Sequence, residues 1–253
     1  MTNTIAILNQ KGGVGKTTTT LNLAAYLSKR GRSVLIVDLD PQGNATSGLG
    51  LDKTTLDATI YDVLFGNVAT HQVIQDTNLD NLSILPANAQ LAAAEVDLAG
   101  EQHREFRLKQ GLDGLEYDYI LIDCPPSLGL LSVNALTAAE YVLVPVQTEY
   151  YALEGLGQLL EIIQRVNAGL NPGLQLLGVV MTMYDSRTSL SDQVVSEIKK
   201  HFGSKLLDTI IPRNVRLAEA PSYGKTIAEH DKWSKGARSY KALAKEIEAR
   251  VKK

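Results

Sequence analysis

Gln10-Lys11-Gly12-Gly13-Val14-Gly15-Lys16-Thr17-Thr18 joins a short apolar run, Thr4-Ile5-Ala6-Ile7-Leu8-Asn9, to a helical pattern from Thr17 to Ser28. A loop that wraps phosphate needs glycines, so that backbone N–H groups can curl around oxygens without Cβ clashes. It also needs a helix N-terminus, whose free N–H groups and dipole favour an anion. Both are present, in the order strand, loop, helix. Lys16 supplies a point charge for β and γ phosphates, and Thr17 a hydroxyl for Mg²⁺. The expected nucleotide-binding set is therefore Lys11, Gly12, Gly13, Val14, Gly15, Lys16, Thr17 and Thr18. The usual pattern opens with a glycine where Gln10 stands, so the general motif is not strictly met.

Working outward, further apolar runs follow: Ser33–Asp38, Leu82–Leu85, Tyr119–Asp123, Tyr141–Val146, Leu176–Met181 and Leu206–Ile211. Nearly continuous β-branched runs suit strands buried on both faces. Between them lie helical patterns, roughly Ala152–Val166, Leu190–Phe202 and Ala237–Val251. The alternation predicts an α/β fold, a mostly parallel twisted sheet with helices on both faces and ligands at the carboxyl ends of the strands. No repeat or long linker divides the chain, so residues 1–253 are expected to form one domain.

Two carboxylate-bearing segments follow strands. Asp38-Leu39-Asp40-Pro41-Gln42-Gly43-Asn44 places two carboxylates where the second run opens. Aspartate at a strand end is commonly a turn former, and spacing alone leaves that open. The phosphate loop upstream favours a site role, holding metal waters and orienting an attacking water. Asp123 closes four apolar residues, the arrangement that reaches Mg²⁺ directly or through water. Pro125-Pro126-Ser127-Leu128-Gly129 after it fits a loop that senses a γ-phosphate. Cys124 has no dedicated histidine partner and packs near the strand end.

Composition bounds the reading. With 44% hydrophobic and 21% charged residues the chain is ordinary for a globular protein. No apolar run approaches the ~20 residues needed to span a bilayer. The N-terminus lacks a basic segment followed by an apolar stretch, so no secretory signal is expected. A single cysteine excludes an intrachain disulfide and fits a reducing cytoplasm. Net charge is −3, but residues 187–253 hold 15 of the 25 basic and 8 of the 28 acidic side chains. That asymmetry marks either a nucleic-acid face or a solvated surface. His71, His103, His201 and His230 lack metal-ligand spacing, and Trp233, the one tryptophan, is expected to pack locally.

The pattern Lys11-Gly12-Gly13-x-Gly15-Lys16-Thr17 resembles the deviant Walker A loop of the ParA, MinD and nitrogenase-iron-protein class. Four further segments resemble the ParA/Soj chromosome- and plasmid-partitioning ATPases: Asp38–Asn44, Asp123–Gly129, Glu149–Gly155 and Pro212–Ser222. The resemblance implies a P-loop ATPase using ATP and Mg²⁺, in which Lys11 reaches the nucleotide across a dimer interface. It implies that Asp40 positions the hydrolytic water, that Asp38 lies in the metal's outer shell beside Thr17 and Asp123, and that Pro212 and Asn214 line the adenine pocket. It further implies an ATP-dependent homodimer that binds DNA without sequence preference, slow hydrolysis stimulated by a ParB-type centromere-binding protein, and a nucleoid-associated, cytoplasmic setting. The candidate DNA contacts are Arg187, Lys199, Lys200, Arg216, Lys225, Lys232 and Lys235, with Arg238 and Lys241 beside them. Thr182-Met183-Tyr184-Asp185, read as following a strand, stands where related GTPases carry Thr-Lys-x-Asp; Met183 in place of lysine weakens a guanine reading. One cysteine excludes the iron–sulfur relative. The phosphate loop begins too soon after Met1 for a helix-turn-helix extension. A MinD-like membrane switch and a metabolic ligase remain as alternatives. The stripe Tyr240, Leu243, Ala244, Ile247 and Val251 is expected to dock on its own sheet, with no stable insertion into a membrane.

Overall fold

The computed structural model describes residues 2–149 and 154–251. The landmark residues Tyr150 to Leu153 and the terminal Lys252 and Lys253 lie outside them. Eight strands form one sheet: β1 (Asn3–Ile7), β2 (Val34–Asp38), β3 (Gln75–Asp76), β4 (Leu82–Leu85), β5 (Tyr119–Asp123), β6 (Tyr141–Gln147), β7 (Gln175–Tyr184) and β8 (Leu206–Pro212). Their order is β3-β4-β2-β5-β1-β6-β7-β8. Every pairing is parallel except the short β3–β4. The longer helices are α1 (Lys16–Ser28), α2 (Leu130–Ala138), α3 (Glu154–Gly169), α4 (Ser189–Phe202) and α5 (Lys235–Val251).

All five residues of β2 and of β5 are buried. Side chains alternate across a strand, and each face has its own core. Ile5, Ile7, Val34, Ile36 and Leu121 pack with Leu21, Leu23 and Leu27 of α1 and Tyr240, Leu243 and Ile247 of α5. Ala6, Leu8, Leu35, Val37 and Ile122 pack with Leu131 of α2, Leu159 of α3 and Ile198 of α4. The stripe on α5 thus docks on its own sheet, and Tyr240 Oη lies 3.1 Å from Thr19 Oγ1 of α1. No helix among the described residues is long and apolar enough to cross a membrane.

The seven strands read from sequence are all present, and the fold is the expected α/β class. Three features differ. The helix α2 carries no amphipathic period because it is buried on several sides: Ser132, Asn134 and Thr137 are themselves buried, satisfied by the carbonyls of Ser127, Arg104 and Val133. The strand β7 extends to Tyr184, so Thr182-Met183-Tyr184 belongs to the strand rather than following it. Met183 takes φ 52 there, at an irregularity in the β7–β8 pairing. The two-residue β3 is too short to leave a pattern.

The start of β2 is locked to the end of α5 by charge. Glu248, 6% exposed at its side chain, accepts from Arg30 at 2.5 Å and Arg32 at 2.8 Å. Burial alone would push its carboxyl up; the two guanidinium groups outweigh that and hold it below the usual carboxylate range. A depressed folded-state pKa contributes stability above the unfolded value of about 4.3, and that contribution is lost as pH falls through the folded value. With both arginines over a third exposed, Glu248→Gln is expected to cost only about 1 kcal/mol at neutral pH. Thermal melts from about pH 7 down to pH 3 should show wild type and variant converging in acid; a constant gap would contradict the linkage.

Candidate active site

Strand order reverses at β1, which sits between β5 and β6, so the crevice at the carboxyl end of β1 is where an open α/β sheet binds its ligand. The loop Gln10–Gly15 occupies that crevice. Gly13 and Gly15 take φ 74 and φ 90, conformations that a side chain makes costly. Its stem is clamped from three directions: Asn9 Nδ2 donates to the Pro145 carbonyl at 2.8 Å, Gln10 Nε2 to Gly155 at 3.0 Å, and Thr182 Oγ1 to Val14 at 2.8 Å. Gly15 sits at the α1 N-terminus with no side-chain cap, which leaves the helix's first N–H groups facing the loop.

The two loop lysines point to different places. Lys16 is 6% exposed, and its Nζ donates back to the Lys11 carbonyl at 3.2 Å, closing the loop on itself. Burial pulls its pKa below the ordinary lysine value, opposed by the nearby charges of Asp123 and Asp40. Lys11 leaves its own loop: its Nζ pairs with Glu149 Oε2 at 3.1 Å, both side chains nearly half exposed. Gly12 is exposed on the same side, with only Pro126 near the position a Cβ would take.

Asp38 and Asp123 are register partners on β2 and β5, and both are fully buried. Asp38 Oδ2 accepts from Thr46 N at 2.8 Å and Thr46 Oγ1 at 2.7 Å, and its Oδ1 from Asp40 N. Asp123 Oδ1 accepts from Thr20 Oγ1 at 3.0 Å, whereas its Oδ2 is buried without a hydrogen-bond partner. Burial, reinforced by mutual repulsion among Asp38, Asp40 and Asp123, raises the pKa of both Asp38 and Asp123. Asp40, at the mouth of the same crevice, is 7% exposed and accepts from Gln42 N at 2.9 Å.

These donors fit a magnesium nucleotide. Among the described residues no group of three His, Cys, Asp or Glu side chains is set to hold a metal. Mg²⁺ in nucleotide sites takes one or two carboxylates plus phosphate oxygens and water, all hard oxygen. The unpartnered Oδ2 of Asp123, the Thr17 hydroxyl and Asp38 behind them could supply the protein's share. Beside the loop lies a cavity of about 340 Å³ walled by Thr18, Met183, Ile211, Pro212, Val215, Leu217 and Ala218, with Asn214 at its rim. Pro212 and Asn214 line this cavity, which could receive a base, and Asn214 also caps the short helix Val215–Glu219. Asp185, the residue a guanine reading needs, is held bidentately by Arg187 at 2.8 and 2.6 Å.

The basic candidates do not form one patch. Arg187 follows the end of β7, Arg216 the end of β8, and Lys225, Lys232 and Lys235 the segment leading into α5; all lie at the site edge of the sheet. Lys199 and Lys200 sit in the last turn of α4, which leads through Gly203–Lys205 to the start of β8, at the opposite edge. Trp233 does not pack locally as expected but is 78% exposed. Sequence reading also missed Thr20, Thr46, Thr182 and Glu149. The only signal for Thr20 was its place one turn after Lys16, and Thr46, Thr182 and Glu149 become partners of the site only in the folded chain.

A strand, a glycine loop with a buried lysine, a helix and paired carboxylates define a P-loop nucleotide hydrolase. Residues 2–176 match the family model described as AAA domain. The chain is 54% identical over 247 residues to the sporulation initiation inhibitor protein Soj of Bacillus subtilis, across 97% of this chain and 98% of that protein. It is also 54% identical to the chromosome-partitioning ATPase Soj of Thermus thermophilus, across 98% and 96%. The cobyrinic acid a,c-diamide synthase of Mycobacterium smegmatis, solved with bound ADP and magnesium, matches with TM-score 0.89 and 41% identity over 100% of this chain and 96% of that one. The chain belongs to the ParA/Soj family of chromosome-partitioning ATPases.

With its pKa pushed up to about 8, the buried Asp123 holds at neutral pH a proton that the unfolded chain has lost, and that uptake destabilises the ligand-free fold. Asp123→Asn is expected to lose Mg²⁺-dependent nucleotide binding while raising the ligand-free Tm at neutral pH by a few degrees, about 1 kcal/mol. Differential scanning calorimetry with and without Mg²⁺ and nucleotide separates the two effects; a lower ligand-free Tm would mean the carboxylate pair is not strained.

Proposed function

We propose that this chain is an ATP- and Mg²⁺-dependent partitioning switch, acting in the cytoplasm on the nucleoid, whose ATP-bound form is a dimer that binds DNA without sequence preference. The observation that carries this reading is the division of labour between the lysines. Lys16 is buried within its own loop, whereas Lys11 is exposed, reaches out of it and is held only by a half-exposed ion pair to Glu149. An exposed pair of this kind is worth little, roughly 0–1 kcal/mol. A triphosphate on a facing copy is a far stronger partner for Lys11. In this reading ATP occupies the loop of each protomer, and Lys11 exchanges Glu149 for the partner's phosphates, as an arginine finger acts in trans. Bare Gly12 lets the two loops approach.

Within one protomer, Lys16 and the α1 N-terminus would hold the phosphates, and Thr17, Asp123 and Asp38 would hold the magnesium, which when bound supplies charge neutralisation. Asp40 orients the attacking water. Hydrolysis removes the shared contact and the dimer falls apart. Turnover is slow alone and rises with DNA and a ParB-type centromere-binding protein. Support for DNA as partner comes from Arg187, Arg216, Lys225, Lys232 and Lys235 on the site edge, together with the family. A MinD-like membrane role is disfavoured because the apolar stripe of α5 is buried on the sheet. The likeness to a diamide synthase favours a second reading, ATP-driven amide formation on a carboxylate. Turnover that rose with a carboxylate and an ammonia donor, and not with DNA and the partner protein, would carry that reading instead.

Three variants test the switch. Asp40→Ala should bind ATP and dimerise yet lose at least about 100-fold in turnover, the scale of a lost acid–base or water-positioning group. Gly12→Val should bind ATP as a monomer. Lys11→Ala should do the same, with its turnover insensitive to DNA and partner. Light scattering with Mg²⁺ and a slowly hydrolysed ATP analogue gives the decisive readout: a wild type that stays monomeric at every concentration sinks the proposal.

A further inference from the structure

Trp233 and Tyr223 are exposed by 78% and 66%, although burying an aromatic ring is among the larger gains available to a fold. Neither is loosely hung. Trp233 is presented by a tight turn in which Asp231 Oδ1 accepts from Trp233 N at 3.2 Å and Ser234 Oγ donates to the Asp231 carbonyl at 2.9 Å. Tyr223 is stacked on His230 with ring centroids 5.0 Å apart. One network connects the two rings: His230 Nε2 lies 3.7 Å from Glu219, Arg216 pairs with Glu219 at 2.9 Å, and Arg216 reaches Asp231 of the Trp233 turn at 3.8 Å. Basic groups accompany them. Lys232 Nζ lies 5.4 Å from the centre of the Trp233 ring, and Lys225 and Lys235 are exposed nearby in the chain.

Phosphate-directed binding needs only lysine and arginine; it gives no reason to hold two aromatic faces in water. Exposed rings set among cations are the composition of a surface that stacks on bases while its charges track the backbone. An anionic membrane also accepts tryptophan beside lysine. However, an interfacial anchor presents a continuous apolar helix face, whereas here the rings stand on two separate tight turns and α5 gives its apolar stripe to the core. We propose that Trp233 and Tyr223 form a base-stacking platform within the basic site edge, so that this chain engages unpaired or unstacked bases in addition to phosphates. The proposal rests on the DNA-binding reading above and adds to it a contact that salt does not screen.

Trp233 is the only tryptophan in the chain, so its emission reports on the platform directly. The full-length protein, with Mg²⁺ and a slowly hydrolysed ATP analogue, is titrated with a mixed-sequence duplex, a single-stranded oligonucleotide of the same length and vesicles rich in phosphatidylglycerol. The expected result is quenching by both nucleic acids, larger for the single strand. Trp233→Ala should weaken single-strand binding about tenfold, the scale of one lost stack, without changing the slope of log affinity against log salt. Trp233→Phe should recover most of the loss, and Lys232→Gln should instead lower that slope by about one phosphate contact. Tyr223→Ala, read by anisotropy of labelled DNA, should behave as Trp233→Ala does. Wild-type DNA binding with unaltered affinity in both aromatic variants would overturn the platform and leave the partitioning reading intact. Emission that responds to vesicles and not to DNA would overturn it in favour of a lipid surface. A wild type that binds no DNA with the analogue present would overturn both.

Discussion

The register pairing of Asp38 with Asp123 is the constraint around which the site is arranged. Adjacent parallel strands bring two fully buried carboxylates side by side, and low dielectric makes that costly unless cations or hydrogen bonds compensate. Thr46 compensates Asp38 with two hydrogen bonds, while Thr20 serves only one oxygen of Asp123. The remaining demand for positive charge is directed at one point, beneath the loop, where Lys16 already lies. A divalent cation carried in with a polyphosphate would meet that demand and favour the ionised acids, whose pKa values burial otherwise raises.

The sheet makes this arrangement affordable. Helices cover both faces of the sheet, with α1 and α5 on one side and α2, α3 and α4 on the other, and β2 and β5 are buried along their whole length. The acids are thus shut off from water everywhere except at the strand ends. Lys11 and Glu149 belong to the opposite regime. They are exposed, high-dielectric and weakly coupled, as suits a contact that is broken and remade. In the proposed switch, strong electrostatics would hold the phosphate end in place and weak electrostatics the part that moves.

Much of this was legible in the residue order. Strands buried on both faces must be apolar throughout, so seven of the eight announced themselves. The glycine loop did so because only glycine accepts φ 74 and φ 90 at Gly13 and Gly15. What escaped was tertiary. The helix α2 buries polar Ser132, Asn134 and Thr137 along with its apolar residues and so shows no period. Thr20 and Thr46 look like any threonines until the fold sets them against Asp123 and Asp38. The basic residues read as one group, yet Lys199 and Lys200 fall at the opposite edge of the sheet because α4 runs antiparallel to the strands beside it. Trp233 was expected to pack locally, yet it is 78% exposed. Its exposure depends on the Asp231–Ser234 turn, which no periodicity encodes.

A switch needs its ligand to be felt at the surface it controls, through contacts that differ between states. One continuous path of contacts exists here between the acids and the basic edge. Thr46, which holds Asp38, belongs to the short helix Asn44–Gly48. Beyond it Gly50, at φ 85, meets Gly224, at φ 61, so closely that a Cβ built on Gly224 would stand 2.7 Å from the Gly50 Cα. Gly48 also lies in ordinary van der Waals range of Pro221, in the Ala220–Tyr223 turn that carries Tyr223. Two backbones packed this closely have no side-chain slack to absorb a displacement. Any shift of Asn44–Gly48 as phosphate or metal engages Asp38 must be met by movement at Gly224 or by loss of the contact, and both are changes at the base of the aromatic and basic edge. The glycine–glycine contact sets backbone directly against backbone on this path, so it would transmit a displacement with little attenuation.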